Sequence, residues 1–81
     1  MSRKTKAKEM FYEVLARYHW SEHTRNTAPA LVSIMGDDEI SLGKFRSEGN
    51  AHFIARRELL KSPFESLCDS IEVRVEASLY V

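Results

Sequence analysis

The sequence predicts an α+β fold with one domain over residues 1–81. We expect a two-layer sandwich in the order α-β-β-α-β, in which both helices cover one face of a three-stranded antiparallel sheet. Three observations lead to this prediction. Two segments place apolar residues at helical spacing, and two shorter segments between them favour strands around a turn. The last eleven residues mostly alternate apolar and polar side chains, as a half-buried strand does.

The first predicted element is an amphipathic helix over residues 3–20. Apolar side chains recur three or four positions apart along it, at Ala7, Met10, Phe11, Val14, Leu15 and Tyr18. Glu13 stands four positions before Arg17, the order that favours an ion pair along a helix. Residues 21–29 lose this period and predict a loop that ends at Pro29.

A β-hairpin is predicted next. Its first strand is the β-favouring run of residues 31–35, and its second strand is the alternating run of residues 40–45. The four residues between them, Gly-Asp-Asp-Glu at 36–39, have the chemistry of a turn.

A second helix is predicted from Ser47, a favourable N-cap, to about Leu60. Its inward face is expected to carry Ala51, Ile54, Ala55 and Leu59. Ser62 followed by Pro63 then resembles a second helix start, so a short turn of helix is expected up to about Cys68.

The final predicted strand covers residues 71–81. A right-handed crossover places it antiparallel to the strand at 31–35, which gives the sheet order 2-1-3. With Val32, Ile34, Ile40 and Leu42 facing the helices, the side chains expected on the open face are Leu31, Met35, Phe45, Arg74 and Tyr80. Such a mixed apolar and polar face is typical of a partner-binding surface, although single exposed apolar side chains are also ordinary.

Cys68 is the only cysteine, so an internal disulfide is excluded and a reducing cytoplasm is expected. The N-terminus is basic, but no unbroken apolar stretch follows it as in a signal peptide. No window approaches the ~18 apolar residues of a membrane span. Glu9 and Glu13 on the polar face of the first helix argue against binding to a membrane surface. We therefore expect a soluble cytoplasmic protein.

The spacing Gly43-x-x-x-Ser47-x-x-x-Ala51-x-x-x-Ala55 resembles the last strand and second helix of double-stranded RNA-binding domains. That family grips phosphate with lysines just after the serine, where this chain has Glu48 and Gly49. It also ends on that helix, whereas a strand follows here. The small residues therefore indicate a closely packed helix face.

Three clusters contain residue types found in catalytic or metal sites. Residues His19–His23 match the H-x-x-E-H pattern of inverzincin metalloproteases, provided that the first helix continues through them. Cys68 and His52 form a nucleophile–base pair only if the fold brings them together. Asp37–Glu39 lacks the ligand alternation of a calcium loop. Because 81 residues leave little room for a walled pocket, we expect no enzyme activity, no cofactor and no metal.

The function predicted first is a small non-enzymatic protein-interaction module that binds and regulates or inhibits a larger protein or complex. Phage and mobile-element regulators, including anti-CRISPR proteins, are of this type. The expected partner-binding residues are those of the open face, Leu31, Met35, Phe45, Arg74 and Tyr80. The alternating last strand also favours a homodimer through its edge.

Nucleic-acid binding is the alternative function. The formal charge sums to zero, yet residues 1–36 carry a net +3 and residues 37–81 a net −3. The basic residues available for phosphate contacts are Arg3, Lys4, Lys6, Lys8, Lys44, Arg46, Arg56, Arg57 and Lys61. A solvated surface of mixed sign explains the same residues without a nucleic acid.

Overall fold

The computed structural model describes residues 9–80 and contains three β-strands, three α-helices and one 3₁₀ turn. The strands are β1 (Glu9–Trp20), β2 (Ile40–Phe45) and β3 (Cys68–Tyr80). The helices are α1 (Glu22–Thr27), α2 (Pro29–Met35) and α3 (Glu48–Lys61), and the 3₁₀ turn covers Glu65–Leu67. Within residues 9–80, no helix is long and apolar enough to cross a membrane.

β1 forms the centre of an antiparallel sheet with the strand order β2-β1-β3. β3 pairs with β1 from Tyr80 opposite Glu9 to Cys68 opposite Trp20, and a β-bulge leaves Asp69 without a cross-strand partner. β2 pairs only with the middle of β1, and a β-bulge leaves Leu42 without a cross-strand partner. The helices α2 and α3 pack on the same face of β1. The predicted α+β class, with its three-stranded antiparallel sheet, is therefore confirmed.

The element order is β-α-α-β-α-β, which differs from the expected α-β-β-α-β. The helix predicted over residues 3–20 is wrong for the described part, because residues 9–20 form β1. Residues 31–35, expected as a strand, lie in α2, so the predicted hairpin does not form. The loop expected at 21–29 contains α1.

The alternation of side chains along β1 explains the first of these differences. Every even position is apolar, at Met10, Tyr12, Val14, Ala16, Tyr18 and Trp20. The four from Val14 to Trp20 are at most 3% exposed. Phe11 and Leu15, which complete the helical stripe in the sequence, lie on the opposite face of the strand. The same residues fit both periods, and pairing with β3 selects the strand.

End signals explain why residues 31–35 are helical. Pro29 occupies the first turn of α2, where its missing N–H has no helical partner to lose. Gly36 follows with φ +77° and ψ −179°, a conformation that essentially only glycine adopts, and its N–H donates to the Val32 carbonyl at the end of the helix. The residues of α2 that pack against the core are Leu31, Val32 and Met35. Ile34, expected inside, is 82% exposed.

Most of the predictions for α3 and the segment after it are confirmed. The Ser47 hydroxyl accepts the Asn50 N–H at 3.2 Å, as an N-cap does. The predicted inward residues Ala51 and Ala55 are buried, whereas Leu59 is 47% exposed and was placed wrongly. The short helical turn before Cys68 is also present, and β3 begins there, three residues earlier than expected.

The core has two ends, which we name by their side chains. The alanine end consists of Val14 with Ala51 and Ala55 of α3. The aromatic end consists of Tyr18, Trp20 and Phe64, whose ring centroids lie 5.3–5.9 Å apart. α3 covers the first end, while α2 and the segment around the 3₁₀ turn cover the second.

Candidate functional site

The predicted partner-binding residues do not share one surface. Leu31 and Met35 pack from α2 into the aromatic end, and Phe45 packs against the alanine end. Their expected position on the open face is therefore wrong, because the segment that carries Leu31 and Met35 is a helix above the sheet. Arg74 does lie on the open face, opposite Leu15. Tyr80 is the last described residue of β3, and its side chain is outside the described part.

The open face of the sheet carries polar and charged side chains, several of which contact one another. Arg74 donates two hydrogen bonds to the Glu39 carboxylate, at 2.7 and 2.9 Å. The imidazole of His19 lies 3.4 Å from the carboxylate of Glu72. The guanidinium of Arg46 lies 5.6 Å from the centroid of the Phe11 ring. These contacts satisfy much of the face internally, which weakens the case for it as a docking surface.

The ion pair between Glu39 and Arg74 shifts the pKa of the glutamate. The hydrogen bonds from Arg74 lower the pKa of the Glu39 carboxyl, and the charge of Arg17 contributes in the same direction. Both partners are solvent-exposed in part, so salt screens the pair and its contribution to stability is small.

A different surface, the outer side of α3, combines apolar and basic groups. Because Ala51 and Ala55 turn one side of the helix to the sheet, the opposite side faces solvent. We call its members the α3 stripe: Phe53, Arg56, Arg57, Leu60 and Lys61, which together line a shallow groove. Phe53 is 62% exposed and Leu60 is 67% exposed. The guanidinium of Arg57 lies 5.9 Å from the centroid of the Phe53 ring.

The α3 stripe contains three cations and no carboxylate. Glu58, the acid closest to it in sequence, turns inward and accepts a hydrogen bond from the Tyr18 hydroxyl at 2.7 Å. Glu48 lies near the start of α3, before the α3 stripe begins, and its carboxylate is 3.6 Å from the imidazole of His52. Among residues 9–80, Arg56 and Lys61 form no ion pair, so their charges are available to a partner.

The structure separates the residues predicted for nucleic-acid contact. Lys44 pairs across the sheet with Glu13, and Arg46 lies over Phe11, so both belong to the open face. The basic part of the α3 stripe lies on the far side of the helical layer. The remaining predicted residues, Arg3, Lys4, Lys6 and Lys8, lie outside the described residues.

The histidine pair considered for a metal site is also separated. His19 lies on β1 and His23 on α1, so the two histidines do not share a helix as the metalloprotease pattern requires. Across residues 9–80 no three potential metal ligands come together. Burial, followed by the charge of Asp69, raises the pKa of the Cys68 thiol, which reduces its thiolate fraction at neutral pH.

Phe53 and Leu60 were missed as functional candidates in the sequence. They stand seven positions apart and outside the inward stripe, on the side of the helix that carries Arg56 and Arg57. This spacing is the feature of the sequence that could have identified an exposed apolar and basic helix face. No protein-family model matches the chain, and neither a curated protein nor a solved structure matches it significantly.

Proposed function

We propose that the protein is a non-enzymatic interaction module that uses the α3 stripe to bind and regulate or inhibit a larger protein. One observation carries this proposal: two large apolar side chains, each more than 60% exposed, stand among three cations on one helix face. Exposed apolar groups of this size and spacing are typical of interaction sites. Because its single cysteine is a free thiol, we place this activity in the cytoplasm, and phage or mobile-element regulators are the class it fits.

The chemistry of the α3 stripe defines the partner. Phe53 and Leu60 are already about a third buried, so full burial in a complex stabilises it by roughly 1–2 kcal/mol for each side chain. They are seven residues apart, which corresponds to about 10 Å along a helix. The matching segment carries two apolar side chains at that distance and acidic residues beside them to face the cations. Aromatic and arginine side chains are also the residues that most often dominate binding energies.

Nucleic-acid binding remains the second candidate because of Arg56, Arg57 and Lys61. An exposed Phe53 ring can also stack on a base. Leu60, however, is the most exposed member of the apolar pair and offers nothing to a phosphate or to a base edge. The mixture of apolar and basic groups therefore favours a protein segment.

The test begins with identification of the partner. Wild-type protein, the variant Phe53→Ala/Leu60→Ala and the control Ile34→Ala are used to capture proteins from a lysate of the source cells. Ile34 is the matched control because it is also a highly exposed aliphatic side chain on a helix, but lies outside the α3 stripe. We expect one protein that the wild type and the control retain and the double variant loses.

Affinity measurements then decide between the candidates. A peptide from the acidic segment of the captured protein is titrated by fluorescence anisotropy. We expect at least a ~tenfold weaker Kd for the double variant and little change for Ile34→Ala. Equal binding by all three proteins contradicts the proposal. Binding of a DNA or RNA oligonucleotide that falls steeply with salt and requires Arg56, Arg57 and Lys61 establishes the alternative instead.

A further inference from the structure

The outer edge of β3 is long, and no strand among residues 9–80 pairs with it. β3 has 13 residues and pairs with β1 on one side only, since it lies at the end of the sheet. β3 contains no proline and no lysine, two residues that commonly protect an edge strand from pairing, and the β-bulge at Asp69 interrupts only the start of the strand.

The helical layer covers only the first half of β3. On the helix-facing side, Ile71, Val73 and Val75 are partly buried. Farther along, Leu79 is 54% exposed, and its cross-strand neighbour Met10 is 40% exposed. The second half of the strand therefore presents apolar side chains that the described chain covers only in part.

A groove runs along the edge at the covered half. Leu59 of α3 and Ile71 line it, together with the three consecutive residues 68–70 and Glu65. Cys68 and Ile71 lie on the helix side, opposite Trp20 and Tyr18, whereas Ser70 lies on the open side, opposite His19, so a groove that touches all three follows the edge. The cross-strand neighbours on β1 do not line it, which places it on the free side.

We infer that β3 pairs with β3 of a second copy, antiparallel and about a two-fold axis at Val75. In this register Ile71 lies opposite Leu79 of the partner subunit, and Val73 opposite the partner's Ala77. The exposed leucine of each copy then lies beside the groove at Leu59 of the other. On the open face, Arg74 lies opposite the partner's Glu76. The result is a continuous six-stranded sheet with both helical layers on one side.

Charge and apolar matching select this register. A two-fold axis at Arg74 places this residue opposite Arg74 of the partner subunit and Glu72 opposite the partner's Glu76. Like charges directly opposite each other destabilise a sheet. An axis at Val73 leaves Leu79 beyond the paired region and places Ala77 opposite Asp69. The axis at Val75 gives two opposite-charge pairs and covers both leucines.

Disulfide crosslinking between the same position in two copies determines where the two-fold axis lies along β3. In a Cys68→Ala background, Val75→Cys places its two thiols on the axis, where opposed Cα atoms are about 4.5–5.5 Å apart and suit a disulfide. The controls Val73→Cys and Ala77→Cys place their thiols more than about 12 Å apart. With oxidised glutathione, we expect crosslinking at position 75 at least ~tenfold faster than at either control.

Light scattering of the wild-type protein supplies the independent readout. For the wild type we expect a mass twice that of one chain. Glu76→Arg sets two arginines opposite each other, so we expect its dimer dissociation constant to be about tenfold larger. The double variant Arg74→Glu/Glu76→Arg restores opposite charges, and we expect it to recover the wild-type dissociation constant. Glu72→Arg is the matched control, since Glu72 faces Ser78 of the partner subunit in this register. A monomeric wild type at every concentration, or preferred crosslinking at 73 or 77, overturns the inference.

Discussion

The two ends of the core are stabilised in opposite ways. At the alanine end, Ala51 and Ala55 let the backbone of α3 approach Val14 closely, so contact is made by small side chains. At the aromatic end, the large rings of Tyr18, Trp20 and Phe64 fill the space between the sheet, α2 and the segment around the 3₁₀ turn. One end depends on the absence of side-chain volume, and the other depends on its presence.

Side-chain hydrogen bonds to the backbone also connect separate elements at the aromatic end. The Trp20 Nε1–H donates to the Gly36 carbonyl at 2.9 Å and so fixes the end of α2 to the sheet. The Thr24 hydroxyl donates to the Leu67 carbonyl at 2.8 Å and joins α1 to the segment before β3. α1 and α2 have six and seven residues, too few for stability alone. The aromatic end therefore holds the weakest helices in place.

The largest expected effect is truncation at the aromatic end. Trp20→Ala removes a side chain that is 3% exposed, leaves a cavity and releases the Gly36 carbonyl. We expect a loss of about 3–5 kcal/mol in the free energy of unfolding, measured by urea denaturation. Phe53→Ala is the matched control, because that ring is 62% exposed, and it is expected to change stability by less than about 0.5 kcal/mol. Similar losses in both variants contradict the distinction.

Enlargement at the alanine end is the next effect in size. Ala51 is 0% exposed and lies between α3 and Val14, so Ala51→Leu forces the helix away from the sheet. We expect a destabilisation of about 1–3 kcal/mol in the same denaturation assay. Ala30→Leu places the same change at an exposed position of α2 and should be close to neutral. A neutral Ala51→Leu variant contradicts close packing at this end.

The elements predicted well have strong local signals. The Ser47 cap and the small residues at 51 and 55 identify α3, and the near-regular alternation of apolar and polar residues identifies β3. β1 could not be assigned locally, because its apolar residues satisfy a helical period and a strand period at once. Its pairing with β3 spans most of the chain, and such non-local contacts are absent from any sequence window.

The basic residues of the candidate site could be predicted from the sequence, whereas its apolar residues could not. Arg56, Arg57 and Lys61 were identified from charge alone, and charged side chains on a helix are usually exposed. The exposure of Phe53 and Leu60 depends on which side of α3 meets the sheet, so it required the packing of Ala51 against Val14. The open face was predicted wrongly because it depended on the strand assignment of residues 31–35.

The smallest expected effect concerns Tyr18, which links the aromatic end to α3 through Glu58. Burial raises the pKa of the Tyr18 hydroxyl, and the hydrogen bond to Glu58 raises it further. Folded protein therefore keeps this proton above about pH 10, where an unfolded tyrosine ionises, so the free energy of unfolding falls as the pH rises beyond that value.

Urea denaturation of wild-type and Tyr18→Phe protein between neutral pH and pH 11 tests this linkage. At neutral pH we expect Tyr18→Phe to be less stable by about 1 kcal/mol, because it loses the hydrogen bond. Above about pH 10 the deficit should shrink, since only the wild type loses stability through Tyr18. Glu58→Gln should retain part of the wild-type slope, because burial is the larger cause of the shift. A deficit that is constant with pH would show that Tyr18 is not protected from ionisation and that the aromatic end is open to water at this position.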